Sequence, residues 1–121
     1  MAGKTVLIRL HDMRDAINGI SETLAGVTFE TYRASWSTRR ATERGMEIIS
    51  EASRHLPLET KARFPAIPWP EIAAIGNLLR HEYAKVDDRI IWNAAQGRLT
   101  ELGKAVEAMI REATVKDARS S

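Results

Sequence analysis

The stretch "PWPEIAAIGNLLRHEY", residues 68–83, carries both a helical period and a cluster of reactive side chains. Ile72, Ile75 and Leu79 recur at intervals of three and four, which places them on one face of a helix. Pro70 suits a first helical position, where its missing N–H would have no intrahelical partner. The spacing therefore predicts a helix over about 70–83. Its later turns hold Asn77, Arg80, His81, Glu82 and Tyr83. Asn77 stands four residues before His81, on the same face, and asparagine is a poor mid-helix choice unless its amide is used. Orientation of the imidazole is the expected use. Glu82 lies about 100° from either neighbour and reads as solvated surface. Tyr83 follows Leu79 by four, so its ring can join the core while its hydroxyl emerges at the helix end.

Outward from this stretch, the chain divides into helices. Val6, Leu10, Met13, Ile17, Ile20 and Leu24 form one stripe on a helix over roughly 5–25, and Gly26 follows as a stop signal. Thr28 can cap a second helix that runs without proline to about His55. Phe29, Tyr32 and Trp36 open its apolar face, and Ala41, Gly45, Ile48 and Ala52 continue it. Residues 56–68 contain three prolines and no sustained period, so they form a loop, with Phe64 and Ile67 to pack it back. Asp87 can cap a fourth helix over about 88–114, with Ile91, Ala95, Leu99, Leu102, Val106 and Met109 inward. The tail after Val115 is polar and expected to fray. No strand pattern survives. The expectation is an all-α, antiparallel four-helix bundle in one domain spanning 1–121.

Composition excludes several function classes. Hydrophobic residues are 44% and charged residues 28%, as in an ordinary globular chain. There is no cysteine, which removes disulfides, thiolate metal sites and a cysteine nucleophile. His11, His55 and His81 lie on different elements without metal-ligand spacing, so no metal or cofactor is expected. His11 and His55 read as structural. The opening residues lack an uninterrupted apolar stretch, and no segment approaches the roughly 20 apolar residues of a membrane span. A cytoplasmic chain is expected. Net charge is only +2, but 13 of the 18 basic residues are arginine, the residue for bidentate phosphate contact. Arg40, Arg44, Glu47 and Glu51 form a polar stripe beside the second helix's apolar face. It is either a solvated ladder of ion pairs or one wall of a polar cleft.

The segments "IPWPEIAAIGNLLRHEY" and "VDDRIIW" together resemble the HepT-like family of HEPN-domain proteins. The family pattern is a Pro-Trp pair opening the third helix, R-N-x-L-x-H-x-Y, an acidic turn, and a helix beginning I-x-W. Pro68, Trp69, Ile72, Asn77, Leu79, His81, Tyr83, Asp87, Ile91 and Trp92 fall in register. "EIISEASRHLP", residues 47–57, is similar to the family's acid-Ala segment. The resemblance implies a HEPN-like bundle working as a homodimer, a metal-independent endoribonuclease toxin with the third helices facing across a cleft. It implies a minimal nucleotidyltransferase antitoxin as partner, able to transfer AMP to Tyr83. Gly76 departs from the pattern by standing where the family has arginine. Arg80 is one turn further along nearly the same face and leans back toward that position. It is the expected substitute, and an arginine at 76 should then be accommodated.

The residue types suit the implied chemistry. RNA cleavage without metal needs a base for the 2′-hydroxyl, an acid for the leaving 5′-oxygen and a cation for the phosphorane. His81 suits proton transfer, worth roughly 10²–10⁴ in rate. Arg80 suits the developing charge, with Asn77 beside them. One chain supplies one such histidine, and a symmetric dimer supplies two. Trp69 and Trp92 read as core anchors. The competing reading is a catalytically inactive HEPN dimer that binds nucleotide, RNA or only a nucleotidyltransferase partner.

Overall fold

The computed structural model describes residues 2–120; the side chains of residues 2–4, Tyr83, Asp117 and Ser120 are outside that description. Helix α1 spans Ala2–Leu24 and buries Leu10, Met13, Ile17, Ile20 and Leu24, the stripe its spacing requires. Gly26 adopts φ 72°, a left-handed conformation open to glycine without steric cost, and ends the helix. Thr28 then caps α2, Phe29–Ala34, by accepting from the Thr31 N–H at 3.2 Å.

The expected long second helix is broken. Ser35 adopts an extended conformation, closes α2 with its own N–H, and caps α3, Trp36–Arg54, by accepting from the Thr38 N–H. Serine and threonine side chains here offer the backbone an alternative to continuous helix. The break also resets which residues face inward. Tyr32 is fully buried against Phe29 and Trp92, whereas Trp36 is 64% exposed. On α3 the buried set is Thr42, Glu43, Gly45, Met46, Ile49, Ser50, Ala52 and Ser53. Of the four continuation positions expected on the apolar face, Gly45 and Ala52 are buried, Ile48 is partly covered and Ala41 is exposed.

Within the proline-rich loop a short helix, α4, spans Leu58–Ala62. Ile67 is buried and Phe64 partly so, and the Trp69 indole N–H donates to the Lys61 and Phe64 carbonyls at 3.1 and 3.2 Å. These bonds fasten the loop to the start of α5, Trp69–His81, which buries Ile72 and Leu79 and ends two residues earlier than its spacing predicts. A 3₁₀ turn, Tyr83–Lys85, follows. Asp87 caps α6, Asp88–Gly97, by accepting from the Arg89 N–H at 2.9 Å. A second break at Arg98, next to the helix-weakening Gly97, separates α6 from α7, Leu99–Ser120. All six expected inward residues of α6 and α7 are buried. Helix α7 continues through Ser120, past Val115 where fraying was expected.

The packing is all-helical, with no strand among the described residues. Helix α1 lies between α3 and α7, and α3 also packs on α5. Gly45 lets α3 approach α1, since a Cβ there would sit 2.6 Å from Ile20 Cγ1. Ser50 touches α5 at Ala73 and Gly76, whereas Arg54, one turn on, reaches back to Ala73, and Glu51 meets Arg80. Helices α3 and α5 therefore run antiparallel.

Candidate active site

A cleft of about 250 Å³ opens between α1, α3 and α5. Helix α1 contributes Arg9 and Asp12; α3 contributes Arg44, Glu47 and Glu51; α5 contributes Gly76 and Arg80. Three of the four stripe residues thus line a cleft. Arg40 does not: it pairs with Glu43 at 3.3 Å and lies over the Trp36 ring, its carbon 5.6 Å from the centroid.

Glu51 links the two cleft helices. Its Oε1 accepts from His55 Nε2 at 3.2 Å, and its Oε2 lies 3.7 Å from the Arg80 guanidinium. A carboxylate only accepts, so the His55 ring nitrogen facing it carries the hydrogen. That hydrogen bond is the main reason the Glu51 carboxyl sits below its ordinary value. Desolvation opposes the shift, and attraction from His55, Arg80 and Arg54 adds to it. His55 is therefore part of this network and not an isolated structural residue. Its i+4 spacing from Glu51 was the signal in the sequence.

Asn77 does not hold the imidazole. Its Oδ1 accepts from Arg80 at 2.9 Å, so it orients the guanidinium. Arg80 is thereby fixed from two sides, by an amide on its own helix and a carboxylate on α3. His81, the last residue of α5, is exposed and lies outside the cleft lining. Among the described residues its side chain has no hydrogen-bond or ion-pair partner. The backbone of Tyr83 opens the 3₁₀ turn, and its phenol lies outside the described residues.

Position 76 offers no vacant space for an arginine. The buried Ser50 hydroxyl donates to the Ala73 carbonyl at 3.0 Å and accepts from the Gly76 N–H at 3.1 Å. A Cβ on Gly76 would collide with that hydroxyl and stand 2.8 Å from Ser50 Cβ. The glycine is the condition for this α3–α5 approach, and an arginine there would not be accommodated without moving the helices apart. Arg80 and Gly76 do line the same cleft. Arg9, Asp12 and Ser50 line the cleft without any sequence motif to mark them; only the crossing of α1, α3 and α5 brings them together.

This helical bundle, with an Arg-Asn-His group closing α5 beside a charged α3 wall, has the architecture of a HEPN-like domain. The chain belongs to the HepT-like ribonuclease family, whose model matches residues 13–109. It is 36% identical over 93 residues to the "probable ribonuclease HepT" of Thermococcus cleftensis, covering 77% of this chain and 84% of that one. It is also 36% identical over 91 residues to a protein of Caldanaerobacter subterraneus named as a candidate RNase, covering 75% and 81%. A candidate RNase of Methanocaldococcus jannaschii is 28% identical over 107 residues, 88% of this chain and 98% of that one. No solved structure matches the chain. Among the described residues no helix is long and apolar enough to cross a membrane.

Proposed function

We propose that the protein is a metal-independent endoribonuclease toxin, active as a homodimer and controlled by a minimal nucleotidyltransferase antitoxin. The observation that supports this most is the end of α5. Arg80 is held by Asn77 and Glu51, and the adjacent His81 is exposed without a side-chain partner among the described residues. A cation ready for phosphate and a solvent-facing imidazole make half of a proton-transfer site, which a second copy would complete. One His81 takes the proton from the 2′-hydroxyl, whose oxygen attacks phosphorus. The P–O5′ bond breaks, the second His81 protonates O5′, and a 2′,3′-cyclic phosphate and a 5′-hydroxyl result. Arg80 stabilises the charge gathered on the phosphorane. Asn77 serves as a positioning residue for Arg80.

Transfer RNA is the substrate class to try first. The pair would work in the cytoplasm, where RNA and ATP are both at hand. Control acts at Tyr83: its phenol oxygen attacks the α-phosphorus of ATP, pyrophosphate leaves, and the tyrosine carries AMP. The added phosphodiester then competes with RNA for Arg80. Mass spectrometry after co-expression with the nucleotidyltransferase should find the adenylyl group on Tyr83; antitoxin control without any adenylation would leave complex formation as the mechanism.

The main test is incubation of the pure protein with total tRNA in EDTA. Cleavage is expected in the parent, and its loss by a factor of about 10² or more in Arg80→Ala, with an unchanged helical spectrum because Arg80 is exposed. Equal cleavage by parent and variant would remove Arg80 from the reaction. One observation favours a second reading: position 76 lacks an arginine, and Arg80 is already engaged by Glu51. A dimer that binds RNA, nucleotide or its antitoxin without cutting would then show binding but no cleavage in the same assay.

A further inference from the structure

The charges lining the α1–α3–α5 cleft cancel, with Arg9, Arg44 and Arg80 facing Asp12, Glu47 and Glu51. A polyanion gains little from such a wall beyond the one arginine at the reacting phosphate. The charge imbalance lies elsewhere. A groove of about 410 Å³ runs between α1 and α7, rimmed by Arg14 and Asn18 on one side and Thr100, Lys104, Glu107 and Arg111 on the other. Three cations face one carboxylate. Among the described residues Arg14 and Lys104 meet only carboxylates of their own helices, Asp15 at 3.9 Å and Glu101 at 3.7 Å, and neither of those lines the groove. Arg111 has no ion-pair partner among the described residues. Gly103 and Ile17 form the floor, where a Cβ on Gly103 would make ordinary contact with Ile17.

We infer that the α1–α7 groove is a second, non-catalytic binding site that holds the phosphate backbone of a single RNA strand. This rests on the reading of the chain as a ribonuclease. The alternative occupant, a protein, fits less well. None of the large exposed apolar side chains lines the groove, so a partner would find no apolar anchor there. A phosphate backbone needs only cations and polar rims such as Asn18 and Thr100.

The test uses the intact protein and a fluorescent single-stranded 2′-O-methyl RNA, which binds but lacks the attacking hydroxyl. Binding is measured by anisotropy across a salt series for the parent, the combined Arg14→Gln, Lys104→Gln and Arg111→Gln variant, and Glu107→Gln. Each phosphate neutralised on a single strand contributes about 0.7 to the salt slope. The triple variant should bind at least about tenfold more weakly, with a slope shallower by about 2. Glu107→Gln should bind more tightly than the parent. Cleavage of a dinucleotide, too short to reach the groove, should be unchanged in the triple variant while KM for long RNA rises. Equal affinity and slope in parent and triple variant overturn the inference. So does unchanged RNA binding with loss of the nucleotidyltransferase, which would make the groove a protein-docking face. A change in sedimentation would make it a subunit contact and overturn it equally. Because the probe is not cleaved, the binding measurement tests the groove even in a catalytically silent protein.

Discussion

At the scale of single residues, the Ser50–Gly76 contact governs the distance between the two helices that form the cleft. One hydroxyl is shared between a carbonyl and an N–H of α5, and only a residue without Cβ permits it. Gly76→Ala should destabilise the fold by about 1–3 kcal/mol through overpacking. Ser50→Gly combined with it should cost less than the two separate changes added, because the collision is then relieved. Additive losses in a denaturant-unfolding cycle would show that the two positions do not press on each other. Glu51 makes a different prediction. Its folded pKa lies below the ordinary 4.5, so its contribution is fully present above that value and is lost as pH falls through the lowered one. The carboxylate is half-exposed, so the effect is screened and small. Glu51→Gln should flatten the fall in Tm with acid below pH 4.5, and superimposable Tm–pH curves for parent and variant would remove this linkage.

At the scale of elements, the two helix breaks matter more than the helices. Ser35 ends α2 and starts α3, and by doing so turns Tyr32 into the core and Trp36 out to solvent. Arg98 separates α6 from α7 without displacing their inward residues. The periodicity of α1, α6 and α7 was legible because each stripe is unbroken and made of apolar side chains. That of α3 was not, because its inward face carries Thr42, Ser50 and Ser53, which look like surface in a sequence. Their hydroxyls bond to backbone carbonyls, so burying them costs little. Ser35→Ala removes the cap on α3 and should lower stability by about 1 kcal/mol. An unfolding midpoint that does not move would mean that the Thr38 N–H finds water as an equal partner.

At the scale of the whole molecule, the proposed two-histidine reaction needs more than one chain. The guanidinium and its two holders are assembled, but the single His81 of the motif faces solvent. A homodimer with His81 of each chain across a shared cleft is the expected state, and sedimentation at micromolar concentration should report it. A monomer at that concentration would leave the two-proton reaction without its second histidine.

The sequence by itself determined the helical class, the cap residues Thr28 and Asp87, the family register along α5 and its acidic turn, and the residue types that could cleave RNA. All of these are local: they follow from spacing along one helix or from a side chain bonding its own backbone. What only the tertiary structure decided is which of those residues act together. Asn77 serves Arg80 and not His81, His55 reaches Arg80 through Glu51, and position 76 is closed to any side chain. The Glu51–Arg80 pair and the closure of position 76 depend on the separation of α3 and α5. That separation is set by one buried serine against one glycine, 26 residues apart in the chain, and no periodicity along either helix encodes it.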